Sequence, residues 1–345
     1  MYRNYKIVVN TAAGRRRYMQ YLVPFVLASD IIDRYDIWVN THNGADIEFF
    51  RMLAGKYPKI NLCWQPDGIV NGNKSINAFY RDCIEEDAIY FKLDDDIVWM
   101  EPDAIRKMVD FRIDNPQYFL VTPLVINNSL STYLLQVRNK ITLRSYCNSS
   151  SSHALLWESG EVATELHQWF IDKYLLTDNY PSLHVEKQEM GMTRFSINAI
   201  LWFGSEMKKM KGVVPGDDEE FLSCIYPTAN GMCNCWNGDV IMAHFAFFTQ
   251  RELLDKAGIL EQYGAFIATR KNDLFYPYYR EIQNMLSAIS INEKQLMIQP
   301  SPYRVNPKEP KKLKNVMMRV LPRSLYPLVV ALYQKIQKKE ALIIK

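Results

Sequence analysis

No stretch of this 345-residue chain reaches the roughly 18 uninterrupted apolar residues that a membrane-spanning helix needs. The N-terminus, MYRNYKIVVNTAAGRRRY, lacks the form of a secretion signal. Its apolar run, Ile7 to Val9, is too short, and a basic cluster follows it. A cytoplasmic protein with reduced cysteines is therefore expected. The Asn-x-Ser triplets at Asn73, Asn127 and Asn148 then carry no glycosylation meaning. Of the six cysteines, only Cys233 and Cys235 are closely spaced. One CxC without a second pair points to free thiols rather than to zinc. The loop TAAGRRRY has one glycine, so a Gly-rich, Lys-bearing phosphate loop after the first strand is missing. There is no internal repeat and no low-complexity tract.

What is present is ordinary in bulk. Apolar residues make up 48% and charged residues 23%, as in a folded soluble protein with a sizeable core. The net charge of +3 hides an asymmetry. Residues 308–345 hold ten Lys or Arg and two Glu, a net of +8, which leaves −5 on the rest of the chain. A nucleic-acid binder would more often carry its basic residues on the folded face, so no nucleic-acid partner is expected. A short basic segment with interleaved apolar residues fits an anionic membrane surface better.

Along the first 126 residues, short apolar runs alternate with helical patterns. YKIVVN, YDIWVNTHNG, KINLCWQPDG, AIYFKLDDD and YFLVTPLVI read as strands. The intervening segments read as helices, NKSINAFYRDCIEED and EPDAIRKMVDFRIDNP among them. Such alternation implies a mostly parallel central sheet flanked by helices, with ligands bound beyond the C-terminal strand ends. FSINAILWFG and WNGDVIMAHFAFFTQ add later strands, and GDDEEFLSCIYP reads as an acid-rich helix start. Residues 276–312 are rich in Pro, Asn and Lys and read as a linker. Residues 313–345 read as a basic amphipathic helical tail, either lying on a membrane surface or packed on the domain.

Asp94, Asp95 and Asp96 end a buried strand. Clustered hard oxygen ligands suit Mg²⁺ or Mn²⁺. The plainer alternative is an acidic turn capping the next helix, but Asp103 is better placed for that. An EF-hand is excluded because Ile97, Val98 and Trp99 occupy ligand positions.

Strand–helix alternation followed by an apolar strand ending in Asp-x-Asp resembles the GT-A type of nucleotide-sugar glycosyltransferase, over roughly residues 5–250. Three further segments are similar to inverting glycosyltransferase family 2. In GNKSINAFYRDCIEEDAIYFKLDDD, Asn77 falls where that family carries an asparagine. The resemblance implies that Lys74, Asn77 or Arg81 touches the donor. In GDDEEFLS, Asp217 and Asp218 match an acidic pair whose second member is the base, which carries that role onto Asp218, with Glu219 as the fallback. In DVIMAHFAFF, His244 matches a late metal-binding histidine. Asp96, with Asp94, would then hold the metal against the donor diphosphate, and Asp94 or Asp95 would bond the ribose. Asp67 would contact the base. Trp202 and Trp236 are placed to stack on sugars or to fill the core, the core being favoured.

The resemblance implies a donor half over residues 1–125 and an acceptor half over 126–275. It implies transfer from a nucleotide-diphospho-sugar to a glycan or lipid-linked acceptor, in surface polysaccharide synthesis, with the tail on the inner face of the cell membrane. The family's N-terminal Ser–Tyr/Asn signature is replaced by NTAAGRRRY, whose three arginines either face the diphosphate or are solvated. The competing readings are a retaining glycosyltransferase, a nucleotidyltransferase, and a sugar-binding module that would bind without turnover.

Overall fold

The computed structural model describes residues 1–70 and 73–303. The side chain of Lys74 and the tail at 313–345 lie outside the described residues. The core of the fold is a nine-stranded sheet. Its strands are β1 (Lys6–Ala13), β2 (Arg34–Val39), β3 (Ile60–Cys63), β4 (Ala88–Leu93), β5 (Ile97–Met100), β6 (Tyr118–Ile126), β7 (Gln188–Met190), β8 (Ala199–Phe203) and β9 (Cys233–His244). The order is β3-β2-β1-β4-β8-β6-β9-β5, with β7 also on β9.

The first four strands are parallel, as the alternating pattern implies. Beyond β4 the sheet becomes mixed. β8 runs antiparallel to both β4 and β6, and β9 runs parallel to β6. All residues of β4, β6 and β8 are buried, so the middle of the sheet is covered on both faces. Trp202 stacks on Tyr90 at 5.8 Å, and the Trp236 indole donates to the Ser131 hydroxyl at 3.1 Å. Both tryptophans are core residues.

Four local expectations are corrected. The segment read as one helix at 73–87 forms only a turn at Asn73–Ile76 and a 3-10 turn at Phe79–Asp82. Asp103 does precede the helix Ala104–Asp114, but its φ of 60° turns it left-handed, and its side chain makes no cap. The aspartate triplet leads into β5 rather than into that helix, because the Ile97 amide bonds back to the Asp94 carbonyl at 3.2 Å.

The fourth correction concerns the segment expected as a linker. It carries a 22-residue helix, Tyr276–Met297. Tyr279, Ile282, Met285 and Ile289 recur at helical spacing and form its buried stripe. Rings of this segment meet the helix Arg16–Ala28, with Phe25 and Phe275 at 4.4 Å and Tyr21 and Tyr279 at 6.4 Å. No helix among the described residues is long and apolar enough to cross a membrane. All six cysteines are free.

Candidate active site

A cleft of about 930 Å³ opens beside the ends of β1 and β4, and Asp94, Asp95, Asp96, Asp218 and His244 all line it. Backbone hydrogen bonds fix the triplet. The Asp94 amide donates to the Asn198 carbonyl at 2.8 Å, and the Phe245 amide donates to the Asp96 carbonyl at 2.8 Å. The second bond brings the end of β9, and so His244, against the triplet.

Asp94, Asp96 and His244 can each offer one ligand atom, and these atoms lie within 4.8 Å of one another. His244 Nε2 is 3.4 Å from Asp96 Oδ1. Its Nδ1 faces the Asn127 carbonyl at 3.4 Å. A carbonyl only accepts, so Nδ1 donates there and Nε2 is the ring nitrogen left facing the cluster. Two carboxylates and one imidazole suit Mn²⁺ or Mg²⁺ as a donor set.

Asp95 plays a different part. It accepts from the Gly14 amide at 2.9 Å and from Arg15 Nε at 3.1 Å. Arg15 Nη2 also reaches Asp96 Oδ2 at 2.9 Å. Burial alone would raise the Asp96 carboxyl. Arg15, His244 and Arg251 outweigh it and hold that carboxyl well below the usual carboxylate range. Of the three arginines in GRRRY, only Arg15 lines the cleft. Arg16 pairs with Asp46 and Glu293, and Arg17 pairs with Asp255. Those two brace the domain.

Asp217, Asp218 and Glu219 lie at a helical start that runs through 218–229. Asp217 caps it by accepting from the Glu220 amide at 2.9 Å. Gly216, with φ 69°, supplies the left-handed turn just before it. Arg194 meets Asp217 at 3.4 Å, Glu219 at 3.1 Å and Glu220 at 3.7 Å. Asp218 is turned away from that arginine and accepts from the Tyr80 hydroxyl at 3.1 Å. Burial pushes the Asp218 carboxyl up, opposed by the charge of Lys92 and by the Tyr80 bond.

The remaining expected contacts are distributed unevenly. Asn77 lines the cleft, but its amide nitrogen donates to the Val214 and Gly216 carbonyls, both at 2.9 Å. It fastens the loop that carries Asp217 and Asp218. Asp67 is exposed and closes its own turn by accepting from the Ile69 amide at 3.1 Å. Arg81 is exposed on the 3-10 turn. Neither lines the cleft.

Several cleft residues escaped the sequence reading: Lys92, Asn198, Arg194, Arg251, Trp157 and Phe248. Lys92 left a signal, a lone charge inside the apolar strand AIYFKL. The others left none, because loops bring them in from distant parts of the chain.

No protein-family model matches this chain, and no curated protein does. Solved structures overlap it loosely. One is CMP:2-keto-3-deoxy-manno-octonic acid synthetase complexed with CTP, at 10% identity and a TM-score of 0.41, covering 74% of this chain and 98% of that one. Another is S. aureus TarS 1–349, at 9% identity and a TM-score of 0.41, covering 83% and 72%. A mycobacterial protein overlaps at 11% identity and a TM-score of 0.40, covering 77% and 74%. Overlaps this loose assign neither a family nor a reaction.

Proposed function

We propose that this chain is a metal-dependent glycosyltransferase that moves a sugar from a nucleotide-diphospho-sugar to a hydroxyl of a glycan or lipid-linked acceptor, with inversion. The observation that carries the reading is the Asp94–Asp96–His244 cluster sharing one cleft with Asp218.

Asp94, Asp96 and His244 would hold Mn²⁺ or Mg²⁺. When bound, such an ion supplies positive charge to the diphosphate of the leaving group. Arg15 and Arg251 supply more of it from the protein. Arg15 Nη1 and Arg251 Nε are buried and have no partner among the described residues. Burial and the neighbouring Arg15 lower the Arg251 guanidinium, so the pair favours an anion between them.

Asp218 takes the proton from the acceptor hydroxyl. That oxygen bonds the anomeric carbon from the face opposite the diphosphate. The bond from the anomeric carbon to the diphosphate oxygen breaks, and its electron pair leaves with the nucleoside diphosphate. One feature favours Asp218 over Glu219. Burial raises both carboxyls, but Arg194 holds Glu219 at 3.1 Å, whereas Asp218 accepts a side-chain hydrogen bond from the Tyr80 hydroxyl.

The test is thermal unfolding of the full chain with each common nucleoside diphosphate, with and without Mn²⁺. A ligand at about 100 times its Kd stabilises by about 2.7 kcal/mol. A metal-dependent rise with one nucleotide is expected, and Asp96→Asn should abolish it. No metal-dependent rise with any nucleotide sinks the reading.

A further inference from the structure

Trp157 and Phe248 line the same cleft as Asp94, Asp218 and Arg251. Their rings meet edge to face, with centroids 5.3 Å apart at 81°. Neither ring belongs to the hydrophobic core. Phe248 is 64% exposed, so it stands at the mouth of the cleft. Leaving so much aromatic surface in water forgoes the stabilisation that burial would bring.

The backbone that carries the rings is nevertheless held firmly. Gln250 is fully buried between their two loops. Its amide nitrogen donates to the Leu156 carbonyl at 2.8 Å. Its amide oxygen accepts from Asn127 Nδ2 and from the Phe247 amide, both at 3.0 Å. The Thr249 hydroxyl donates to the Trp157 carbonyl. Asn127 also donates to the Phe245 carbonyl at 3.0 Å, next to His244. The scaffold of the metal cluster is thus the scaffold of the aromatic pair. A backbone fixed in advance leaves little to order but the rings when a ligand arrives.

Ser152 and Glu158 line the cleft alongside these rings. An aromatic face bordered by a hydroxyl and a carboxylate complements a pyranose, which has a C–H face and a rim of hydroxyls. A lipid chain would have no use for the polar border. We infer that Trp157 and Phe248 form a stacking subsite for a pyranose ring of the acceptor. The word acceptor rests on the transferase reading; the sugar subsite itself does not.

Saturation-transfer NMR on the full chain, with millimolar methyl pyranosides of glucose, galactose and mannose as probes, tests this. At least one should receive saturation on its ring protons. Phe248→Ala, at an exposed position, and Trp157→Ala should each weaken that signal about five-fold or more. Both should keep the Mn²⁺–nucleotide thermal shift of the parent protein. Equal signals in parent and variants, or no signal from any pyranoside in the parent, overturns the subsite. Loss of the nucleotide shift in Phe248→Ala also overturns it, by assigning the rings to a nucleobase. A parent with no nucleotide shift, whose pyranoside signal still depends on both rings, supports the sugar subsite and sinks the transferase reading alone.

Discussion

Lys92 Nζ bridges the Asp94 carboxylate and the Ile197 carbonyl, the latter at 2.8 Å, from inside β4. Burial alone would lower this ammonium, but Asp94 and Asp218 outweigh it and raise it. One cation therefore serves a metal-cluster carboxylate and the proposed base together. Lys92→Met should have two effects. Stability should fall by about 1 kcal/mol, because the half-buried Asp94 carboxylate loses its partner. The acidic limb of the pH–rate profile should move to higher pH, because Asp218 loses the charge that opposes its protonation. Urea unfolding and a pH–rate profile read the two effects, and an unmoved limb refutes the coupling.

Asp218→Asn should reduce transfer by about 10²–10⁴-fold and leave the Mn²⁺–nucleotide shift intact. It should not cost stability at pH 7. A carboxyl whose folded pKa is raised contributes stability at low pH and loses it as pH rises through that value. At neutral pH the half-buried charge is a cost that asparagine removes. The melting temperature should therefore hold or rise while turnover disappears. A fall in both would point to damage rather than to loss of a base.

How much of this was legible depends on distance along the chain. Asp94–Asp96 and His244 announce themselves locally, because each ends an apolar strand. The acids at 217–220 do the same at a helix start. The bearing of Asn77 was not legible, because its carbonyl partners lie more than 130 residues away. Nor could three identical neighbours in GRRRY be told apart. Only the packing of the helix Arg16–Ala28 decides that Arg15 faces the cleft. The helix Tyr276–Met297 was hidden for another reason. Its polar composition outweighed an apolar stripe that was present at the right spacing.

Asn77→Ala separates the role implied by resemblance from the one seen in the fold. It removes two hydrogen bonds to the 214–216 loop. The cost should be about 1–2 kcal/mol of stability. Turnover should fall about ten-fold or more as Asp218 loses its fixed position. The Mn²⁺–nucleotide shift should survive. A lost shift with unchanged stability would make Asn77 a donor contact instead.

His167 should make the domain acid-sensitive. It is fully buried, and its Nε2 faces the Phe245 carbonyl at 2.8 Å while Nδ1 faces the Tyr263 hydroxyl at 2.9 Å. Burial pushes the imidazole down to about 4. The unfolded chain binds this proton near the ordinary value of about 6.5. Between those values the unfolded state holds more protons, so stability falls as pH drops from about 6.5 to about 4. The loss should reach about 3 kcal/mol. His167→Gln should be less stable at pH 7, because it disturbs two buried hydrogen bonds, yet show a flatter decline over that window. Urea midpoints at half-unit pH steps compare the two proteins. Parallel declines would remove His167 from the acid response.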